Sequence, residues 1–483
     1  MAKSLGFLLN RGKSVNVQKY LLCFISFYVI LQENCMISMP VLKLFFRRFF
    51  YMLAFAMMVA GTAEAQNSAI HYVGGDISLL TKYETQKAQY KDLNGKTISA
   101  LLPFLKEQGW NTIRVRLMVD PSKSDDPKSV IQDLEYVKAL GARIKAAGLR
   151  FLLDFHYSDT WADPGSQWTP DAWKSLSDTQ LQEQIYVYTR DCLQQLVDAG
   201  AKPDFIQTGN EISYGMLWGT KAAVGGNQTN RCYTTSPQAN WDRFFRLLRR
   251  AGEACREVCP QAKIILHSER APKPSVLTDY FDRMKNANID YDIIGLSFYP
   301  YFHGNMSVLE TAIKQLEAKN YGKDIQVVEM GYPSKWAVQG TTYDYTSVYP
   351  YSAEGQRAFT ADLIAMLKKH PQVNGLSWWY AEANAKGCNG DLNSGWYNAG
   401  LFDNETGRAL PALYELKSFN DGYEETVKGD VNGDGVVDVA DISAIISVMA
   451  NGSADVSSAS ADVNEDGTVD VADISAVITI MAS

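Results

Sequence analysis

Excess positive charge is what this 483-residue sequence most plainly lacks: 46 Lys and Arg stand against 54 Asp and Glu, a net charge of −8. That balance argues against nucleic acid or an anionic membrane as partner, since either needs a basic surface. Cysteine is scarce too, with seven in the chain, of which Cys192, Cys232, Cys255, Cys259 and Cys388 lie beyond residue 65. An odd number without regular spacing does not make a disulfide framework. Cys255 and Cys259 stand one helical turn apart, a spacing too common to mark a metal site, and no catalytic thiol is expected. No Gly-rich phosphate turn follows the first apolar run, where Gly74-Gly75-Asp76 stands, so a doubly wound nucleotide-binding sheet is disfavoured. The apolar run from Phe49 to Ala60 is too short to span a bilayer comfortably, and no permanent membrane span is expected.

What is present describes a globular protein. Hydrophobic residues make up 46% and charged residues 21%, and the length suits one large domain plus a small one. Aromatics reach 12%, with 10 Trp and 26 Tyr, as a core or a sugar-stacking cleft would require. Residues 1–65 read as a signal peptide with a misplaced upstream start. Arg47 and Arg48 precede the apolar run, and Ala63-Glu64-Ala65 predicts cleavage before Gln66. Met36 or Met39 is a more natural start, which leaves the first ~35 residues untranslated. Removing residues 1–65 takes away seven basic and two acidic side chains and leaves a net charge of about −13. Secretion is the expectation, to the periplasm, the cell surface or the medium.

Residues 66–420 alternate short apolar runs with longer amphipathic ones. Strands are expected at 72–77, 112–118, 151–156, 205–209, 263–267, 293–298, 325–330 and 375–380. Helices with 3–4 apolar spacing are expected at 129–147, 178–199, 240–258 and 353–369. Eight such repeats predict an α/β fold, a (β/α)8 TIM barrel. In that fold the site forms at the C-terminal ends of the strands. Those ends carry Asp76, Arg114 with Arg116, Asp154 with His156, Asn210-Glu211, His267, Tyr299, Glu329 and Trp378-Trp379. Glu211 and Glu329, ending the fourth and seventh strands, would face each other across the barrel mouth. Two carboxylates flanking a bond are the usual means of hydrolysing a glycoside.

The run Leu153-Asp-Phe-His-Tyr-Ser-Asp-Thr-Trp-Ala-Asp-Pro-Gly165 resembles the signature of glycoside hydrolase family 53, the β-1,4-galactanases of clan A. Gly209-Asn-Glu-Ile, Ile294-Gly-Leu-Ser-Phe-Tyr-Pro300, Val327-Val-Glu-Met-Gly-Tyr-Pro333, Gly75-Asp-Ile-Ser and Asn111-Thr-Ile-Arg-Val-Arg-Leu are similar as well. The resemblance covers residues 70–415. It implies an arabinogalactan endo-β-1,4-galactanase, retaining, cofactor-free in its chemistry and active on the galactan side chains of pectin, with Glu211 as acid/base and Glu329 as nucleophile. It also implies that Arg114 holds the charge of Glu329 by a charge-assisted hydrogen bond, that Asn210 binds the sugar 2-hydroxyl, that Tyr299 orients Glu329 and that Trp379 stacks on sugar. Asp76, Asp154, His156, His267 and His303 complete the expected substrate-binding set. Two departures stand out: Tyr380-Ala381 where Glu-Pro is expected, and a Tyr-rich loop at 334–351 without the Asp/Asn/His run that binds calcium in bacterial relatives. The catalytic domain is expected to be monomeric.

Residues 421–429 read as a linker. Beyond it a motif appears twice, Asp430-Val-Asn-Gly-Asp-Gly-Val-Val-Asp-Val-Ala-Asp441 and Asp462-Val-Asn-Glu-Asp-Gly-Thr-Val-Asp-Val-Ala-Asp473. The oxygen-bearing positions fit a calcium loop, with Asp430, Asn432, Asp434, Asp438 and Asp441 in one copy and Asp462, Asn464, Asp466, Asp470 and Asp473 in the other. Without Cys or His, calcium suits the set better than zinc. Unit charges ~4 Å apart repel by about 4 kcal/mol at an effective dielectric near 20, so folding should depend on the cation. Aspartate at position 12 and the duplication resemble a type I dockerin, a small all-α module at 430–483. That resemblance implies docking to a cohesin-bearing scaffold or surface protein through helix faces near Ser443 and Ser475.

Three other readings remain open. A mannanase or cellulase of the same clan would use the same glutamates on another sugar, and a polysaccharide panel separates it. A non-catalytic glycan-binding barrel would keep affinity without hydrolysis. A dockerin-anchored structural protein would leave the strand-end carboxylates unexplained.

Overall fold

The computed structural model describes residues 71–221, 230–388, 396–420, 428–429, 431, 437–451, 461–464 and 468–481. The signal-peptide expectation lies outside the described residues. Among those described, no helix is long and apolar enough to cross a membrane.

Eight parallel strands close into a barrel in chain order. They are β1 (Tyr72–Asp76), β2 (Thr112–Leu117), β3 (Arg150–Phe155), β4 (Phe205–Thr208), β5 (Lys263–Ser268), β6 (Ile293–Phe298), β7 (Asp324–Met330) and β8 (Val373–Trp378). β8 pairs back onto β1, with Gly75 opposite Trp378. The closure meets the TIM expectation and excludes the open sheet. β1 and β2 lie so close that a Cβ on Gly74 would fall 1.6 Å from the Thr112 carbonyl oxygen. Only glycine fits there.

Outside the strands run α1 (Leu101–Glu107), α2 (Leu134–Ala146), α3 (Asp178–Asp198), α4 (Gln238–Val258), α5 (Pro274–Asn286), α6 (Met306–Lys319), α7 (Ala353–Leu367) and α8 (Pro411–Glu415). α3 begins where Ser177 and Gln180 form a reciprocal capping box. α2 begins at Leu134 rather than near residue 129, because Asp133 accepts the Tyr136 N–H at 2.8 Å and caps the helix there.

Strand alternation divides the side chains. On β2, Ile113, Val115 and Leu117 join the large core between sheet and helices, while Arg114 reaches partners on β1, β3 and β7 across the interior. A separate plug of Leu152, Phe205, Ile265, Ile293 and Val328, with Tyr72 against it, fills the barrel from five other strands and β1. The interior is therefore apolar in one layer and ionic in the layer nearer the mouth.

The alternation is broken once where it matters. β6 pairs Leu296 with Val327 and then Ser297 with Glu329, so Val328 is an extra residue on β7. A bulge re-aims the side chains that follow it. Ile325 and Val327 face the outer core and Val328 the plug; a regular strand would return Glu329 to the outer core. The bulge instead directs it to the barrel mouth.

The C-terminal segment has its own small core of Val431, Ala444, Ile445, Ala461, Val463 and Val477, under α9 (Val439–Asn451) and α10 (Val471–Met481). Each repeat closes on its last aspartate. Asp441 accepts N–H bonds from Val431 and Asp438 at 2.7 and 2.8 Å, and Asp473 accepts them from Asn464 and Asp470 at 3.0 and 2.8 Å.

Candidate active site

A cleft of about 430 Å³ opens at the C-terminal ends of the strands, with Glu211, Glu269 and Glu329 among its walls and Trp161, Phe302, Trp379 and Trp396 as its aromatic surface. One carboxylate oxygen of Glu211, one of Glu329 and a ring nitrogen of His267 all lie within 4.8 Å of one another. Glu211 sits just past β4 in the left-handed region at φ 48°. Such a backbone costs a non-glycine residue about 1–3 kcal/mol, and strain of this kind collects at functional sites.

Glu329 is held from two sides. The Tyr299 hydroxyl donates to its Oε2 at 2.9 Å. Arg114 Nη2 lies 3.0 Å from Oε1, yet its two protons are already given to Asp154 Oδ2 at 2.7 Å and Asn210 Oδ1 at 2.8 Å. The contact is therefore coulombic, and the hydrogen bond expected from the sequence is not made. Oε1 is left as the carboxylate oxygen without a donor.

The Ser297 hydroxyl donates to Glu211 Oε1 at 2.7 Å. Ser297 is in turn 2.8 Å from His267 Nε2. His267 Nδ1 faces the Glu211 backbone N–H at 3.3 Å, the Gln207 amide at 3.0 Å and the Asn210 Oδ1 acceptor at 3.0 Å, so both ring nitrogens are hydrogen-bonded whichever carries the proton. A hydrogen-bonded chain thus links His267 Nε2, the Ser297 hydroxyl and Glu211 Oε1, with Ser297 donating to the glutamate. Burial, and Arg114 nearby, hold His267 well below its ordinary pKa, so the ring stays neutral. Both its nitrogens are engaged, which makes the triad a poor metal site.

Burial raises the pKa of both glutamates, but their neighbours separate them. Glu211 is pushed well above the usual carboxylate range by burial, then by the charges of Glu329 and Glu269. Burial lifts Glu329 as well, while Arg114 and the Tyr299 hydroxyl pull it back. Paired carboxyl groups whose surroundings differ in this way take opposite protonation states.

The remaining expected residues divide by depth. Asn210, Tyr299, His303 and Trp379 line the cleft. Asn210 Nδ2 gives one proton to the Ala162 carbonyl at 2.8 Å, leaving the other for a ligand. Asp76, Arg114, Asp154, His156 and His267 lie beneath, at most 1% exposed. Asp76 Oδ2 accepts from Arg114 at 3.0 Å. Against the upward effect of burial, Arg114 and His156 keep Asp154 below its ordinary pKa. His156 Nδ1 takes the Ala162 N–H at 3.0 Å and fixes the loop carrying Trp161. Beyond Trp379, Tyr380 turns at φ 54° and Glu382 is buried, its Oε1 accepting the Leu79 N–H at 2.7 Å; burial and Asp76 push it up to about 8.

Sequence reasoning missed Ser297, Glu269, Trp161, Phe302 and Trp396. Ser297 and Trp161 stood inside quoted motifs without a role. Glu269, two residues past His267 at the end of β5, was legible as one more strand-end carboxylate.

Residues 72–416 match glycosyl hydrolase family 53. The chain belongs to that family. The arabinogalactan endo-beta-1,4-galactanase of Thermothelomyces thermophilus is 31% identical over 71% of this chain and 98% of its own length. Among solved family 53 structures, the Ignisphaera aggregans GH53 catalytic domain is 32% identical, covering 73% of this chain and 97% of that one with a TM-score of 0.62. A structure from a study of two fungal beta-1,4-galactanases is 29% identical, covering 72% and 99% with a TM-score of 0.59. Residues 428–481 match the dockerin type I domain, so a family 53 barrel and a type I dockerin share the chain.

Proposed function

We propose that this chain is a secreted, retaining endo-β-1,4-galactanase that cuts the β-1,4-galactan side chains of pectin, with Glu329 as nucleophile and Glu211 as acid/base. The observation that carries the reading is the approach of the two carboxylates, oxygen to oxygen within 4.8 Å. Double displacement needs carboxyl groups about 5–5.5 Å apart, whereas inversion needs about 6.5–9.5 Å to admit a water.

The roles follow from the surroundings. The Glu329 carboxylate attacks the anomeric carbon as Glu211 gives its proton to the departing glycosidic oxygen, and a covalent glycosyl-enzyme forms. Glu211, now ionised, takes a proton from water, which attacks the same carbon and releases Glu329. The spare Asn210 Nδ2 proton suits the sugar 2-hydroxyl, a bond that strengthens in the transition state, and Trp379 offers a stacking face. The buried residues below act through these groups. Arg114 bears on Glu329, and His267 and Ser297 present Glu211.

The dockerin domain is read as a calcium module. Its described donors, Asp438, Asp441, Asp462, Asn464, Asp470 and Asp473, are all oxygen ligands, as calcium requires. Asp430, Asn432, Asp434 and Asp466, which would complete the sets, lie outside the described residues. Bound calcium would neutralise the converging carboxylates. A cohesin-bearing scaffold or surface protein is the expected partner. Val439, Ile446 and Met449 on α9, and Val471, Ile478 and Met481 on α10, are exposed apolar residues repeated in phase beside Ser443 and Ser475. A polysaccharide too large to enter a cell also requires the enzyme to meet it outside the cytoplasm.

Incubation with linear β-1,4-galactan, galactomannan and cellulose, followed by product sizing, tests the reading. Short oligosaccharides from galactan alone support it. Release from either of the other polymers at a comparable rate contradicts it.

A further inference from the structure

Glu269 is a third carboxylate in the cleft, and neither the nucleophile nor the acid needs it. It follows β5, is 6% exposed and shares the cleft wall with Glu211 and Pro164. Neither of its oxygens completes a hydrogen bond within the protein. Arg270 Nε comes within 2.6 Å of Oε1, but its geometry does not make a hydrogen bond, and its guanidinium lies over the Tyr214 ring, 4.2 Å from the centroid. The nearby Ser213 hydroxyl, which favours the ionised form, is also paired with Ser268 Oγ at 2.7 Å. The ion pair with Arg270 balances its charge, and a buried carboxylate whose oxygens complete no hydrogen bond still gains from donors that a ligand supplies.

Its position says which part of a substrate would do so. Arg114, Tyr299, Asp154 and Asp76 surround Glu329, whereas Glu269 and Asp163 bear on Glu211. Glu269 follows β5, next to the β4 that carries the acid and across the barrel mouth from β8 and β1, where Trp379 offers its stacking face to the glycosyl unit. The acid protonates the departing oxygen, so the sugar beyond that oxygen passes on this side. Pyranose hydroxyls are the donors it brings.

We propose that Glu269 binds the leaving-side sugar, accepting hydrogen bonds from hydroxyls of the galactosyl unit released in the first step. The inference rests on the assignment of Glu211 as acid. It makes Glu269 a determinant of which glycan is accepted beyond the scissile bond, and of how well a sugar competes with water for the glycosyl-enzyme.

The test uses the full chain with Glu269→Gln, which keeps the shape, and Glu269→Ala, compared on galactan and on an aryl β-galactoside whose leaving group carries no hydroxyls. A hydrogen bond to a charged group corresponds to about ten- to hundredfold in kcat/KM. The Ala variant should lose about that much more on galactan than on the aryl substrate, and the Gln variant less. Adding galactobiose as acceptor during aryl galactoside turnover gives a second readout. Transfer product should need a severalfold higher galactobiose concentration in Glu269→Gln. Equal losses on both substrates with unchanged transfer would overturn the proposal. A wild-type enzyme inactive on galactan would instead sink the functional reading itself.

Discussion

Replacing Tyr299 with Phe removes one oxygen and leaves the ring in place, which isolates a single interaction on the nucleophile. The lost bond is the 2.9 Å donation to Glu329 Oε2, inside a site where Tyr299 is only 5% exposed, so water cannot readily replace it. Hydrogen bonds to charged groups contribute about 1.5–3 kcal/mol, and 1.36 kcal/mol corresponds to one pKa unit. The sign is fixed by what the bond favours. It stabilises ionised Glu329, so its loss raises the pKa of that group by about 1–2 pH units. Burial holds the Tyr299 phenol well above its ordinary pKa, which keeps it a donor across the working range. The nucleophile must be ionised in the free enzyme, so the acid limb of kcat/KM should move to higher pH by that amount. The assay is aryl β-galactoside hydrolysis from pH 4 to 9. An acid limb that stays in place, or moves to lower pH, refutes the assignment of Tyr299 and with it the view of how Glu329 is kept charged.

Ser297→Ala removes the hydroxyl that donates to Glu211 Oε1, a bond that favours the ionised acid. The pKa of Glu211 should therefore rise further, and the alkaline limb on galactan should shift up by about one pH unit. Glu329→Ala should abolish turnover of galactan and aryl galactosides alike, whereas Glu211→Ala should retain glycosylation of aryl substrates with good leaving groups, which need no proton. Near wild-type hydrolysis of polymer by Glu211→Ala would refute the assignment of the acid. Chelation of calcium from the full chain should lower far-UV helicity by roughly the share of α9 and α10 and expose the dockerin segment to protease. Unchanged helicity would count against the calcium assignment.

Much of the barrel was legible because its signals are local. Runs such as Thr-Ile-Arg-Val-Arg-Leu state their own alternation, and each strand begins within two residues of its expected start. Depth was less legible. Asp76, Asp154, His156 and His267 are strand-end residues like Asn210 and Glu211, yet they form the floor beneath the cleft, because two residues along a strand separate a side chain in the mouth from one a layer down on the same face. The direction of Glu329 was hidden as well. It depends on the extra residue Val328 against β6, a matter of pairing between strands rather than of spacing along one. The use of Arg114 protons belongs to the same class. The sequence paired it with Glu329, but the presence of Asp154 and Asn210 at hydrogen-bond distance left only a charge contact.

The central claim is that Glu329 bonds covalently to the sugar while Glu211 carries the proton. Exposing the enzyme to a 2-deoxy-2-fluoro-β-galactoside with a good leaving group should stall the second step, and mass spectrometry of the digest should find the sugar on the peptide containing Glu329. A label on Glu211 or Glu269 would contradict the account.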